Sequence, residues 1–249
     1  MLFKEVDFLD RFERAALAGF KAVEFLFPYE WDKSELRDRL QSNGLQIVLH
    51  NLPAGQWSAG ERGLACLPDR VSEFQAGVRQ AIDYATALGC PRLNCLAGIP
   101  PVTLTPEEKQ RVLVSNVRYA AEETQRAGIM LLVEALNSQD MPGFCLNSTR
   151  QVLDLLKAVD HPNLYIQYDI YHMQIMEGNL IKTMGQNIER ISHIQLADVP
   201  GRHEPGTGEI HFENLFRAID DMGYHGWIGC EYNPSGPTES SLGWVKKYL

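Results

Sequence analysis

The sequence predicts a parallel α/β barrel of the (β/α)8 type. Short apolar runs alternate with amphipathic stretches from Ala22 to the C-terminus, which implies βα units and a parallel sheet. Runs such as Met130-Leu131-Leu132-Val133 are apolar without alternation, as in strands buried on both faces. The 249 residues divide into units of about thirty, and a barrel of eight such units runs to about 250. No linker or composition shift marks a second domain, so one domain over residues 1–249 is expected.

Phe8 to Gly19 reads as an amphipathic helix stopped by glycine, and Ala22 to Pro28 as the first strand. Asp32 is placed to N-cap a helix running to Asn43. Gln46 to Leu52 is the second strand. A long loop, Pro53 to Asp69, follows it; Trp57, Leu64 and Leu67 suit an ordered lid. A helix over Arg70–Leu88 leads to a strand at Arg92–Gly98. Thr105-Pro106-Glu107-Glu108 has the N-cap, proline and early acids of a helix start, and that helix reaches about Ala127. The strand ending in Glu134 comes next, then a helix over Ser148–Val159 and a strand at Leu164–Asp169. A helix within Gly178–Arg190 precedes the strand Ser192–Asp198 and a polar, glycine-rich loop, Val199–Glu209. Phe212–Met222 is helical, Gly226–Tyr232 is the last strand, and a short helix covers Ser240–Tyr248. That makes seven strands, with none before the Phe8 helix. The expectation is therefore a barrel without its usual first strand, leaving two unpaired edges.

Hydrophobic content of 45% and charged content of 22% are ordinary for a globular chain with a full core. No apolar run is long enough for a bilayer, and the first residues lack a signal-peptide core, so no membrane partner and a cytoplasmic location are expected. Net charge is −9 with no basic tract, which argues against nucleic acid. An anionic substrate would need local cations. Five scattered cysteines without a CxxC pair read as buried thiols of a reducing compartment. A homo-oligomer remains open.

Glu134, Asp169, Gln195 and Glu231 each stand just past an apolar run on four consecutive strands. Any one of them could simply meet solvent at a strand end. Closing a barrel, however, points all four at a common centre on its C-terminal face, where such barrels keep their chemistry. Three carboxylates in a low-dielectric pocket repel one another, and a divalent cation resolves that repulsion. Oxygen ligands without thiolate favour Mg²⁺ or Mn²⁺. His172, three residues beyond Asp169, and His50, at the end of its strand, are candidates for binding substrate oxygens. Arg202 in the glycine-rich loop and Arg62 in the lid are candidate carboxylate clamps. Asp198 and Glu204 read as groups that either support the metal ligands from behind or structure the loop.

The segments His50–Gly55, Ala59–Gly63, Ile166–His172, His193–Asp198, Arg202–Ile210 and Gly226–Tyr232 resemble the hydroxypyruvate isomerase family, within the xylose-isomerase-like TIM barrels that include the ketose 3-epimerases. The resemblance covers essentially the whole chain. It implies that Glu134 and Glu231 exchange protons with a small hydroxy- or keto-acid substrate, and that Glu134, Asp169, Gln195 and Glu231 hold the metal. A histidine usually stands at the Gln195 position in the epimerases, which sets this chain apart from them. Family members usually begin with a short strand ahead of the segment matching Met1-Leu2-Phe3. The competing readings are the same chemistry on a 2-oxo-tetronate or a free ketose, metal-dependent phosphodiester hydrolysis, and a non-catalytic binding protein. Hydrolysis of that kind would need a histidine-rich cluster and a basic face.

Overall fold

In the computed structural model, which describes residues 1–249, seven strands lie parallel in the order of the sequence. They are β1 (Ala22–Phe25), β2 (Gln46–Asn51), β3 (Arg92–Cys95), β4 (Met130–Glu134), β5 (Leu164–Asp169), β6 (Ile191–Leu196) and β7 (Ile228–Cys230). Each pairs with its neighbour, giving a nearly closed barrel of the TIM type that is open between β1 and β7. Seven strands stand where a closed barrel of this type has eight, as the sequence led us to expect.

The helices are α1 (Arg11–Leu17), α2 (Lys33–Ser42), α3 (Val71–Leu88), α4 (Pro106–Arg126), α5 (Thr149–Val159), α6 (Ile170–Met176), α7 (Leu180–Asn187), α8 (Phe212–Asp221) and α9 (Thr238–Ser241). Their starts follow from local chemistry. The Asp32 carboxylate accepts from the Ser34 N–H at the start of α2. Thr105 and Glu108 form a reciprocal capping box at α4, satisfying two N–H groups that have no partner within the helix. Ser148 caps α5 through the Gln151 N–H. Three outlines differ from the sequence reading. Asp169 caps a helix, α6, that begins immediately after β5. The last strand is only three residues long, so Glu231 falls one position beyond it. The expected terminal helix is instead α9 followed by a 3-10 turn at Val245–Lys247.

The outward faces of the strands pack under the helices. Leu131 and Val133 of β4, Val78 and Ala81 of α3 and Val117 and Ala120 of α4 are fully buried in that layer. Such burial is the main stabilising term, at about 1.5–3 kcal/mol for a fully buried aliphatic side chain. Inside the barrel the pattern changes. Asn51, Asn94, Glu134, Gln167, Asp169, His193 and Gln195 are all buried polar residues. Apart from Asp169, whose neighbours are described below, these side chains hydrogen-bond one another or Glu24. The two ends of the chain meet beside this opening: the Phe3 N–H donates to the Thr238 hydroxyl, and Glu5 accepts from the Thr238 N–H and hydroxyl. No helix is long and apolar enough to cross a membrane.

Candidate active site

Glu134 ends β4 in register with Gln167 of β5, and Asp169, two residues further along and on the same face of its strand, ends β5, so both carboxylates lie on the C-terminal face. His172 lies one helical turn beyond Asp169, because α6 starts at once and carries the imidazole back over the strand end. Ligand atoms of Glu134, Asp169 and His172 all lie within 4.8 Å of one another, and these three residues could hold a metal ion. The Arg202 guanidinium completes the group. Its Nη2 stands 3.3 Å from Asp169 Oδ2 and 3.4 Å from Glu231 Oε2.

Gln195 joins the cluster through an amide. Gln167 Nε2 donates both to Glu134 Oε2, at 2.9 Å, and to Gln195 Oε1, at 2.5 Å. Asn94 Nδ2 donates to the same Glu134 oxygen at 3.1 Å. All four strand-end residues singled out in the sequence thus gather in one pocket.

The electrostatics follow from burial. Desolvation, then the charges of Glu231 and Asp169, push the Glu134 carboxyl well above its usual range. Burial also raises Asp169 and Glu231, with the Arg202 charge acting against it. Burial disfavours the Arg202 cation, but Glu231 and Asp169 more than compensate and hold it above its ordinary value. Burial, aided by the Arg202 charge, lowers His172 to about 3. The backbone N–H of Asn137 donates to His172 Nδ1 at 3.1 Å, so the proton of the neutral ring sits on Nε2, the atom facing Asp169 at 3.6 Å. Three carboxylates and one guanidinium leave the pocket short of positive charge. This donor set suits a divalent cation.

Two expected substrate ligands are not brought to this cluster. His50 lies on the opposite face of β2 from Asn51, whose side chain meets Asn94 inside the barrel. Its ring stacks on Phe25 and approaches the Tyr29 hydroxyl and the Asn51 carbonyl, and burial lowers it to about 4. Arg62 lies over the Trp57 ring at 4.2 Å, donates to the Trp57 and Glu61 carbonyls and touches the Met141 sulfur. It ties the loop after β2 to the loop after β4.

The glycine-rich loop carrying Arg202 hangs on Asp198. That buried carboxylate accepts from the N–H groups of Val199, Gly206, Gly208 and Ile210 at 2.9 to 3.1 Å. A side chain at Gly208 would strike the Val199 carbonyl and the Asp198 carboxylate, so the backbone can approach only because this residue is glycine. Glu204 binds the Ser235 N–H and hydroxyl.

Sequence reading missed several participants. Glu24, Gln167, His193 and Asn94 are polar positions inside otherwise apolar strands, and that interruption was the available signal. Asp140 and Tyr171 were also missed; the Tyr171 hydroxyl donates to Asp140, and Arg202 lies over the Tyr171 ring at 4.9 Å. Around them opens a cavity of about 730 Å³, also lined by Gln139, Gln174, Glu209 and Asn233.

Fold and pocket together define an α/β-barrel enzyme whose carboxylate centre can hold a cation. The chain belongs to the xylose isomerase-like TIM barrel family, whose model matches residues 12–248, and it is an isomerase. It is 53% identical to the hydroxypyruvate isomerase of Escherichia coli K12, over all of this chain and 96% of that protein. It is 44% identical to the 2-oxo-tetronate isomerase of Pectobacterium atrosepticum, over all of this chain and 95% of that one. A crystal structure described as an AP endonuclease, family 2, from Brucella melitensis superposes with a TM-score of 0.97 at 44% identity, covering 99% of this chain and 95% of that one.

Proposed function

We propose that this chain interconverts hydroxypyruvate and tartronate semialdehyde by proton transfer between adjacent carbons. The observation that carries the reading is the pair Glu134 and Glu231. Both are carboxyls raised by burial, and they share one pocket with a histidine N–H donor and an arginine. A carboxyl raised toward neutrality can both take and return a proton at working pH. One glutamate removes a proton from C3, giving a planar enediolate. The other delivers a proton to C2, while the C3 hydroxyl proton passes to the C2 oxygen. His172 Nε2–H donates to a substrate oxygen. Arg202, whose buried Nε has no protein partner, receives the substrate carboxylate. A divalent ion, Mg²⁺ or Mn²⁺, held by Glu134, Asp169, Gln195 and Glu231 would supply positive charge to the developing oxyanion. The Arg62 loop covers the mouth and excludes water. We read residues 1–249 as one barrel domain.

A second reading, a four-carbon 2-oxo acid, is favoured by the cavity of about 730 Å³ beside Arg202. Its lining of amides and carboxylates suits additional hydroxyls. The endonuclease description of the Brucella structure raises a nucleic-acid substrate, but nucleic acid requires clustered cations. The cavity lining has Asp140 and Glu209 against Arg202 alone, and the chain carries a net charge of −9.

The test is an isomerisation assay on chelator-stripped protein, with and without Mg²⁺ or Mn²⁺, on hydroxypyruvate and on a 2-oxo-tetronate. Metal-restored tartronate semialdehyde supports the reading. Turnover of the longer acid alone changes the substrate, and no turnover of either sinks the proposal. Glu134→Gln and Glu231→Gln should each lower kcat by about a hundredfold or more; near-normal turnover in either variant removes the paired-glutamate mechanism.

A further inference from the structure

Gln195 is an ambiguous ligand. Its amide presents an oxygen or a nitrogen with almost the same shape, and only the oxygen can bind a cation. Something must fix which end faces the carboxylates. Glu24 of β1, which has been given no role so far, reaches across the open side of the barrel and accepts from Gln195 Nε2 at 2.7 Å. A carboxylate has only acceptor atoms there, so it can tolerate only the nitrogen end. The oxygen end is then left for Gln167 and the pocket.

Glu24 is itself held. His193, two residues before Gln195 on β6, donates from Nε2 to its other carboxylate oxygen. Gly229, paired with Gln195 across the β6–β7 ladder, makes the room: a side chain there would run into the Glu24 carboxylate. At the far end Gln167 is oriented by Glu134, which accepts from the same Nε2 that donates to Gln195. A continuous chain therefore runs Glu24, Gln195, Gln167, Glu134, with each amide nitrogen turned toward a carboxylate. A carboxylate on the amide N–H also draws electron density onto the amide oxygen, which makes it a better donor to a hard cation.

We propose that Glu24 is a positioning residue that fixes and polarises the Gln195 amide, so that the Gln195 oxygen is presented to the metal. The inference rests on the reading of Gln195 as a metal ligand.

Calorimetric titration of the full chain with Mn²⁺ tests it, using wild type, Glu24→Gln, Gln195→Ala and the double variant. Thermal unfolding of each metal-free protein is recorded alongside. Glu24→Gln keeps the size of the side chain but offers a donor as well as an acceptor, so the Gln195 amide can turn over. Loss of a group that orients a ligand typically weakens metal binding about 10–100-fold, and we expect Glu24→Gln to fall in that range. In the Gln195→Ala background the same change should alter the Mn²⁺ affinity by less than about twofold, because Glu24 acts through Gln195. A purely structural glutamate would lower the unfolding midpoint and leave the affinity ratio untouched.

Wild-type affinity in Glu24→Gln, or equal losses in both backgrounds, overturns the inference while leaving the metal site standing. No Mn²⁺ binding by wild type overturns the metal reading and this inference together. Should Glu24→Gln fail to fold, Gly229→Ala displaces the carboxylate without removing it and should show the same loss; unchanged binding there also refutes the role.

Discussion

Replacing Asp198 by asparagine tests how the loop carrying Arg202 is held. The substitution preserves shape but turns one of the two carboxylate oxygens into an NH2 group. Each oxygen serves two backbone donors, Oδ1 those of Val199 and Ile210, Oδ2 those of Gly206 and Gly208. Two N–H groups would therefore face another donor. A buried donor stripped of its acceptor costs about 1–3 kcal/mol. Water reaching this partly exposed loop reduces the sum, and about 2–4 kcal/mol remains. For a chain of this size that is a fall of roughly 4–16 °C in the unfolding midpoint. If the loop instead lets go locally, the global midpoint moves less and the cost appears at Arg202, as a rise in KM for a carboxylate substrate. Thermal unfolding and steady-state kinetics on the same preparation separate the two. Unchanged midpoint and unchanged KM together would show that the four hydrogen bonds do not anchor the loop.

Arg202→Ala should raise KM for carboxylate substrates by about ten- to a hundredfold, the worth of one or two charge-assisted hydrogen bonds, with a smaller effect on kcat; an unchanged KM assigns the clamp elsewhere. Thr105→Ala removes the α4 capping box and should cost about 1 kcal/mol, or roughly 2–4 °C by thermal unfolding, with kcat untouched. Glu61 is held below the usual carboxylate range by its hydrogen bond from Arg70 and then by the Gln56 N–H. Its folded value lies under its unfolded one, so its contribution is present above about pH 4.5 and fades as pH falls through the folded value. Glu61→Gln should therefore lower stability at pH 7 by no more than about 1 kcal/mol, and the gap to wild type should close in acid, once the pH lies below the folded value; a gap that persists there assigns the effect to packing.

The strands and helices were legible because they rest on apolar runs and capping residues, which need no knowledge of the rest of the chain. The gathering of the four strand-end side chains was legible for a related reason: a parallel barrel puts every strand's C-terminal end on one face, so position in the run predicts position in space. The place of His50, apart from the carboxylate cluster, was not legible, because this logic needs one more fact. His50 and Asn51 are both polar and adjacent, and which of them faces inward depends on strand pleat, where a shift of one residue exchanges the faces. The place of Arg62 was not legible either, because a loop arginine is steered by whatever aromatic lies near it, here Trp57. Helix α6 was hidden because Asp169 reads equally well as a strand end and as a helix cap, and it is both. Glu24 went unremarked because its partners, His193 and Gln195, lie 169 and 171 residues further along the chain, a separation no local pattern spans.

Neighbouring strands in the sheet are also neighbours in sequence, from β1 through β7. Each βα unit can therefore dock onto the one before it soon after it is made, and loop-closure entropy is met in small steps. The pocket does not share that locality. Glu134 and Asp169 meet as soon as β5 adds to β4, but Glu231 joins only after β7 is laid down, and Glu24 finds Gln195 only when the two ends of the sheet approach. During synthesis the carboxylates of Glu134 and Asp169 are thus brought together well before Glu231 emerges. Recovery of activity on refolding should accordingly lag behind recovery of helical structure, and a cation able to bind the early pair would favour the half-built barrel over the unfolded chain.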